Sequence, residues 1–423
     1  MSLRQWFVLL FIVGLVPGIY QLYHPVGLGL GPGREMVAIA RNLVQEGSYG
    51  DSFRSMKTGP TAMNPPLYPL FLALCFRLFR NPIAATIAIL AANTIVNALI
   101  PALLPRISVL LWGTAGPGIA GGVLSISASQ LIPDWDADYT QLGLILFCLA
   151  TMLLVKNYGY GIWQGAITGA TLGSLLLLSQ VTLLVALPWV GFVLIVRRIQ
   201  RRDMLRFLIP LVVAAVLVNL PWVWRNYRIW GEFTTRTNFG TVLYSSNSDC
   251  AKPSVYEHLN SGCSEATNPE MNVTEATLLK SMGEPAYGRL KAQEAAAWIR
   301  SHPRRFLELT LARIVQFWFP VPVPPRYAIY MVWIITILSI PGLFLLVRRK
   351  SPAAVFFSAV FLLYPLTYYI VVSGIRYRVP ILWVSTLAAG YCLAAVLQGN
   401  ADSRFHGSKT AERETRPGGM LGA

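Results

Sequence analysis

Runs of about twenty apolar residues recur along almost the whole chain, and that is the length a helix needs to cross the hydrocarbon of a bilayer. Of the 423 residues, 54% are hydrophobic and only 13% charged, whereas a soluble domain carries roughly a quarter charged residues. Too little polar surface is available to cover such a chain in water, so lipid must do part of the covering. Ten-residue alternating patterns are absent, which excludes a transmembrane barrel. The fold class expected is all-α: a polytopic transmembrane bundle of about ten spans, with amphipathic surface helices and a mostly helical outer loop domain.

The net charge of +16, from 35 Lys+Arg against 19 Asp+Glu, orients that bundle. Its basic residues lie mostly in short links between apolar runs, the pattern of the positive-inside rule. They form no contiguous stripe, which argues against nucleic acid as a partner. The strongest cytoplasmic signal is Arg197-Arg198-Ile199-Gln200-Arg201-Arg202. Trp6–Ile19 has no small-residue cleavage site after it, so it reads as a retained first helix, not a signal peptide.

The spans expected are 5–22, 83–104, 107–130, 140–155, 161–178, 182–196, 205–222, 327–346, 352–372 and 380–397. Residues 65–79 open with Pro65-Pro66 and are short for a span, so they are expected to lie on the membrane surface. Both termini then face the cytoplasm. Four regions follow: 1–222, transmembrane with a first outer loop at 23–64; 223–325, an extracytoplasmic cap; 326–397, C-terminal spans; and 398–423, a disordered cytoplasmic tail. Within the cap, 275–318 shows helical spacing and is expected to shape the acceptor site, while 239–272 reads as looser.

On this topology the unusual polar residues gather on the outer face, and the cytoplasmic loops carry nothing catalytic. Met36, Ile39, Ala40 and Leu43 recur at helical spacing, giving a short amphipathic helix on the membrane. Glu35 falls in its first turn, where a carboxylate interacts well with the helix N-terminus, and helix physics alone would account for it. Arg34 and Arg41 flank it. Arg225, Arg376 and Arg378 lie at outer ends of spans, where interfacial anchoring and phosphate binding both remain open. Asp134, Asp136 and Asp138 form a second acidic cluster. Asp136-Ala137-Asp138 has the form of a metal-holding Asp-x-Asp pair, but a solvated turn or a role in orienting an acceptor fits equally. Cys75, Cys148 and Cys392 lie in apolar runs. Cys250 and Cys263 share the long polar segment, and would pair in an oxidising compartment and stay free in a reducing one.

Several motifs carry a resemblance. Glu35 with Ile39-Ala40-Arg41-Asn42-Leu43, then Thr58-Gly59-Pro60-Thr61-Ala62 and Pro65-Pro66-Leu67-Tyr68-Pro69, resembles the first loop of the family 39-type glycosyltransferases. These protein-mannosyltransferase-like and aminoarabinose-transferase-like enzymes belong to the membrane glycosyltransferase C superfamily. Pro221-Trp222-Val223-Trp224-Arg225-Asn226-Tyr227, Asn238-Phe239-Gly240 and Gly283-Glu284-Pro285-Ala286-Tyr287 follow in the family's order. So do Ser301-His302-Pro303, Arg313-Ile314-Val315-Gln316-Phe317-Trp318 and Arg376-Tyr377-Arg378-Val379-Pro380-Ile381. The resemblance implies inverting transfer of a sugar from a polyprenyl-phosphate donor to an acceptor hydroxyl of a lipid, protein or glycan, outside a bacterial inner membrane. Glu35 would be the base, and Arg225, Arg376, Arg378 and Arg34 would hold the donor phosphate. Asp136 and Asp138 are secondary acids. A phosphate is already a good leaving group, so no cofactor is expected and a divalent metal is not required. The chain departs from the family in lacking a second acid beside Glu35 and in having Asn64 where a basic residue often precedes the proline pair. Two other readings compete with this one. A polytopic transporter or flippase would place charges in mid-span, and these spans are nearly free of them; a non-catalytic subunit of a glycan assembly complex would have no use for Glu35 as a base.

Overall fold

Proline and glycine decide where the long apolar runs of this chain break into helices. The computed structural model describes residues 1–23, 35–53, 56–128, 135–196, 200–323 and 326–414. Helix α1 (Leu3–Tyr23) is followed by α2 (Glu35–Glu46) and α3 (Leu67–Leu78). Next come α4 (Pro82–Trp112), α5 (Gly116–Ala128), α6 (Trp135–Tyr158), α7 (Ile162–Leu176) and α8 (Leu183–Val196). Helix α9 (Arg201–Trp230) leads into a cap of α10 (Phe239–Ser246), α11 (Val255–Asn260), α12 (Cys263–Thr267), α13 (Val273–Met282), α14 (Glu284–Ser301) and α15 (Pro303–Trp318). The chain closes with α16 (Arg326–Arg348), α17 (Ala353–Leu363), α18 (Leu366–Ile370) and α19 (Val379–Glu414).

Among the described residues, seven helices are long and apolar enough to cross a membrane. The protein is all-α and multi-pass, as expected. The run expected as a span at 161–178 appears as the 15-residue α7, and that at 182–196 as the 14-residue α8. Three boundaries move. The turn expected at Arg106 lies further on, because α4 continues through Pro101 and Pro105 and stops only at Gly113, whose φ of 74° suits a residue without Cβ. The expected ninth span bends at Pro365 between α17 and α18. The backbone of α19 stays helical to Glu414, past the point at 398 where a disordered tail was expected.

Helix α3 has 12 residues and so rises about 18 Å, short of the roughly 30 Å of hydrocarbon. It cannot cross alone. One face, Tyr68 and Leu72, packs on Val37 and Ala40 of α2 and on Ile89 and Leu90 of α4. Leu70, Leu74 and Leu78 stay exposed, the pattern of a helix lying against lipid.

Helices α7 and α9 pack backbone to backbone. Gly165, Gly169 and Gly173 repeat every fourth residue along α7. A Cβ on Gly165 would come within 2.2 Å of Phe207 O, and one on Gly169 within 2.1 Å of Leu211 O. Small residues at this spacing let helices approach closely in lipid. Asn219 Nδ2 adds a polar tie, donating to Gly173 O at 3.1 Å and Ala215 O at 2.9 Å. The rest of the bundle closes round an aromatic core that includes Trp189, Phe356 and Trp383, all buried.

Candidate functional site

The first outer loop owes its shape to a glycine. Gly59, at φ 88°, turns the chain back on itself; its N–H donates to Asp51 Oδ1 at 2.7 Å, and Asp51 N–H donates to Gly59 O at 2.8 Å. The returning strand, residues 61–64, is then gripped at successive backbone groups. Arg225 Nη1 donates to Thr61 O at 2.7 Å. Ala62 N–H donates to Glu284 Oε2 at 2.7 Å, and Thr237 N–H to Ala62 O at 3.2 Å. Arg236 Nε donates to Met63 O at 2.9 Å, and the Tyr49 hydroxyl to Asn64 O at 3.0 Å. Donors and acceptors from α9, the 231–238 link and α14 thus fix the backbone that carries Asn64.

Asn64 uses that position to hold Glu35. Its Nδ2 donates to Glu35 Oε2 at 2.8 Å, which orients the carboxylate at the first turn of α2. Both residues line a cavity of about 500 Å³, large enough for a sugar phosphate. Met36, Val37, Leu72, Leu178 and Val181 make one part of the wall apolar; Thr241, Ser245, His258, Ser264 and Asn268 from the cap make another part polar. Its charged residues are Glu35, Glu270, Arg236 and Arg376. Arg376 is exposed and stacks on Tyr377, 4.8 Å from the ring centroid.

The candidate residues therefore divide. Glu35 and Arg376 share one cavity. Arg225 is not among the residues that line it. It donates to Thr61 O, Asn226 Oδ1 and Tyr49 O and lies 4.9 Å from the Trp222 ring centroid. Arg378 does not line it either. It is 1% exposed, donates to Phe317 O, Trp318 O and Ser385 Oγ, and borders a separate small void of about 30 Å³ together with Asp138. A guanidinium presents five donors; here Nη1 and Nη2 are directed at these protein oxygens, while the buried Nε has no hydrogen-bond partner among the described residues. Asp138 is buried and does not line the main cavity. Arg34 and Asp134 lie outside the described residues, and for Asp136 only the backbone, in α6, is described.

The cap reverses the expected division of labour. Residues 239–272, read as looser, form α10, α11 and α12 and supply the polar wall; α13, α14 and α15 supply none of the lining residues. Helices of five to eight residues are too short for periodicity to reveal. A disulfide between Cys250 and Cys263, with Cα atoms 5.3 Å apart, ties them together. The fully buried Arg313 of α15 braces them from behind, donating to Asn247 Oδ1 at 3.2 Å, Ile370 O at 3.1 Å and Ser246 O. Burial pulls this guanidinium down to about 10, still protonated at neutral pH.

His258 is 4% exposed. Thr267 Oγ1 donates to Cys263 O at 2.8 Å, so it accepts from Ser245 Oγ at 2.8 Å; Ser245 in turn accepts from His258 Nε2 at 3.0 Å. The imidazole is thereby assigned as the neutral Nε2–H tautomer. Burial, and next the positive Arg313, hold its pKa below the ordinary histidine value. Glu284, 2% exposed, moves the opposite way, its carboxyl pushed up by burial against the pull of its hydrogen bonds to Ala62 and Thr237. Among the described residues no group of three His, Cys, Asp or Glu side chains could hold a metal ion.

Asn64, Arg236, Glu284, Arg313 and His258 were not singled out as site residues from the sequence. Asn64 carried a signal, since it stands where the family often has a basic residue. Arg236 did too, two positions before the Asn238-Phe239-Gly240 motif.

Membrane-crossing helices with a helical cap closed over a charged cavity define a class: multi-pass, all-α membrane proteins with a capped cavity. No family model and no curated protein matches the sequence. Among solved structures the fold is similar to that of an archaeal oligosaccharyltransferase, AglB from Archaeoglobus fulgidus, in complex with an inhibitory peptide and a dolichol-phosphate. The TM-score is 0.53 at 11% identity, and the match covers 99% of this chain and 53% of that one. The chain thus spans about half the length of that protein, and the likeness establishes the shared fold.

Proposed function

We propose that this protein is a membrane glycosyltransferase that moves a sugar from a polyprenyl-phosphate donor to an acceptor hydroxyl at the extracytoplasmic face of the membrane. The observation that carries the reading is the placement of Glu35, held by Asn64, in one cavity with Arg236 and Arg376. Glu35 takes the acceptor's proton as its oxygen attacks the anomeric carbon. The bond from that carbon to the carrier phosphate breaks, and the phosphate leaves with the electron pair. Arg236 and Arg376 stabilise the charge it gains. Attack from the face opposite the leaving group inverts the anomeric centre. Glycan assembly at a bacterial cell envelope is the setting we infer, with a protein, lipid or glycan as acceptor.

The fold shared with a protein solved with a dolichol-phosphate supports a lipid-linked donor. So does the mixed cavity wall, apolar on Val37, Leu72 and Val181 and polar on Ser245 and Asn268. A lipid donor arrives from the bilayer and its acceptor from water, and a site where the two walls meet serves both. Asp136, whose neighbour Ala137 lines the cavity, is the acid we assign to orienting an acceptor.

The test is transfer or slow hydrolysis of radiolabelled polyprenyl-phosphate sugars by purified protein in nanodiscs, wild type beside Glu35→Gln. Removing the base while keeping its size is expected to cut turnover by about a hundredfold or more with donor binding intact. Equal turnover in both proteins would remove Glu35 from the mechanism. Failure of the wild type to bind any such donor would favour a transporter or a non-catalytic subunit.

A further inference from the structure

The disulfide-closed loop of the cap is tied to the segment that carries Arg376. Ser254 and Ser373 form an isolated parallel bridge, in which Ser373 N–H donates to Pro253 O at 2.9 Å and Val255 N–H donates to Ser373 O at 2.8 Å. One residue earlier, Val372 N–H donates to Ser246 Oγ of α10 at 2.8 Å. One residue later, Gly374 sits against Val255; a Cβ there would come within 3.1 Å of Val255 Cγ2. Arg376 follows two positions on, in a single 3₁₀ turn spanning Ile375–Tyr377. This turn is too short to hold its own position, so the backbone before it is anchored from outside. Three of the anchoring groups, Pro253 O, Val255 N and the Val255 side chain, lie within the ring closed by Cys250 and Cys263; Asn247 and Arg313, which donate to Ile370 O, and Tyr364, which donates to Tyr377 O, lie outside it.

We infer that the Cys250–Cys263 disulfide positions Arg376, and that through it the cavity's affinity for a phosphate-bearing lipid depends on the bridge being closed. This rests on the reading of Arg376 as a phosphate ligand given above. The bridge restricts the conformations open to residues 251–262, so the edge that Ser373 pairs with is offered in one place. Opening it takes two electrons and two protons from an external reductant such as a phosphine in water, which leaves two thiols and the phosphine oxide. The Ser254–Glu257 capping box and the Ser245–His258 contact would keep α11 folded, but no covalent bond would then hold the paired edge.

The experiment compares full-length protein in nanodiscs with its Cys250→Ser/Cys263→Ser variant, using hydrogen exchange over residues 371–378 and binding of polyprenyl phosphate. Exchange is expected to rise tenfold or more in that segment, and affinity to fall about tenfold. Wild-type protein folded first and then treated with phosphine gives the same comparison without depending on how the variant folds. A coupling cycle separates positioning from general loosening: in an Arg376→Ala background, loss of the bridge should cost no further affinity. Unchanged exchange at 371–378, or a full additional loss in the Arg376→Ala background, would overturn the inference. If exchange rises as expected but wild-type protein binds no polyprenyl phosphate, the mechanical link stands and the proposed donor is wrong.

Discussion

The side-chain amide of Asn64 donates to Glu35 Oε2 at 2.8 Å, joining the end of the first outer loop to the first turn of α2. One of the two departures from the pattern that the first loop resembles is thus the residue that touches the proposed base. Asn64→Ala removes this hydrogen bond without adding charge, and is expected to lower turnover about tenfold to a hundredfold. Asn64→Asp should cost more, because a second carboxylate would face the first. Both are read as kcat in the nanodisc transfer assay, and wild-type rates in Asn64→Ala would break the link.

Two arginines should part company under mutation. Arg376→Gln is expected to raise the donor KM about tenfold with little change in melting temperature, since the residue is exposed on the cavity. Arg225→Gln should do the reverse. It loses charged hydrogen bonds to Thr61 O and Tyr49 O, each worth about 1.5–3 kcal/mol, and so destabilises the fold while leaving the KM of the surviving folded protein nearly unchanged. Thermal denaturation and donor titration on the same samples decide it.

That contrast shows how far sequence reasoning reached. Length, period and charge sufficed for most of the long helices and for the place of Glu35 in the first turn of α2, because a span and an amphipathic turn are local properties. Arg225, Arg376 and Arg378 looked alike as cations at span ends. What separates them is which backbone carbonyls lie beside each, and that depends on contacts across 164 residues for Arg225 and Thr61 and about 60 for Arg378 and Trp318. The Gly165, Gly169 and Gly173 repeat was written in the chain, yet a reading by hydropathy passes over it, because glycine adds little to an apolar average. Helices α10–α12 left hardly a trace, since five to eight residues complete only one or two turns.

Acid should loosen the cap through His258. Its folded pKa lies below the ordinary value of 6.5, so between the two values the unfolded chain binds a proton that the native state refuses. The stability this contributes is full above pH 6.5 and is lost as pH falls through the lower native value. Melting curves of wild type from pH 8 to 5 are expected to drop below pH 6.5, with a shallower slope in His258→Gln. Parallel curves would show that the imidazole is not the titrating group.

Glu284 predicts the opposite slope. Burial raises its pKa above the ordinary value of 4.5, so the native state holds a proton that the unfolded chain has released. Its contribution is complete below pH 4.5 and is lost as pH rises through the native value. Glu284→Gln, which keeps an oxygen for Ala62 N–H, should flatten the stability profile above pH 4.5. A variant profile parallel to wild type there would refute the assignment.

The interlock of α7 and α9 bears on how the site can open. Beyond Leu176, α7 runs into Leu178, Ser179 and Val181 on the cavity wall, and Leu177 O accepts from Leu67 N–H at the start of α3. Near its own end α9 carries Arg225 and its hold on the first loop. Gly165 and Gly169 are seated against the backbone of the partner helix, and Val218 and Asn219 of α9 pack on Gly173, so the two helices have little room to slide. The wall bearing Leu178 and the loop presenting Asn64 are therefore tied to one tightly packed helix pair. If the protein transfers sugar as proposed, substrate entry and product release would then fall to the opposite side, the short helices joined by Cys250 and Cys263.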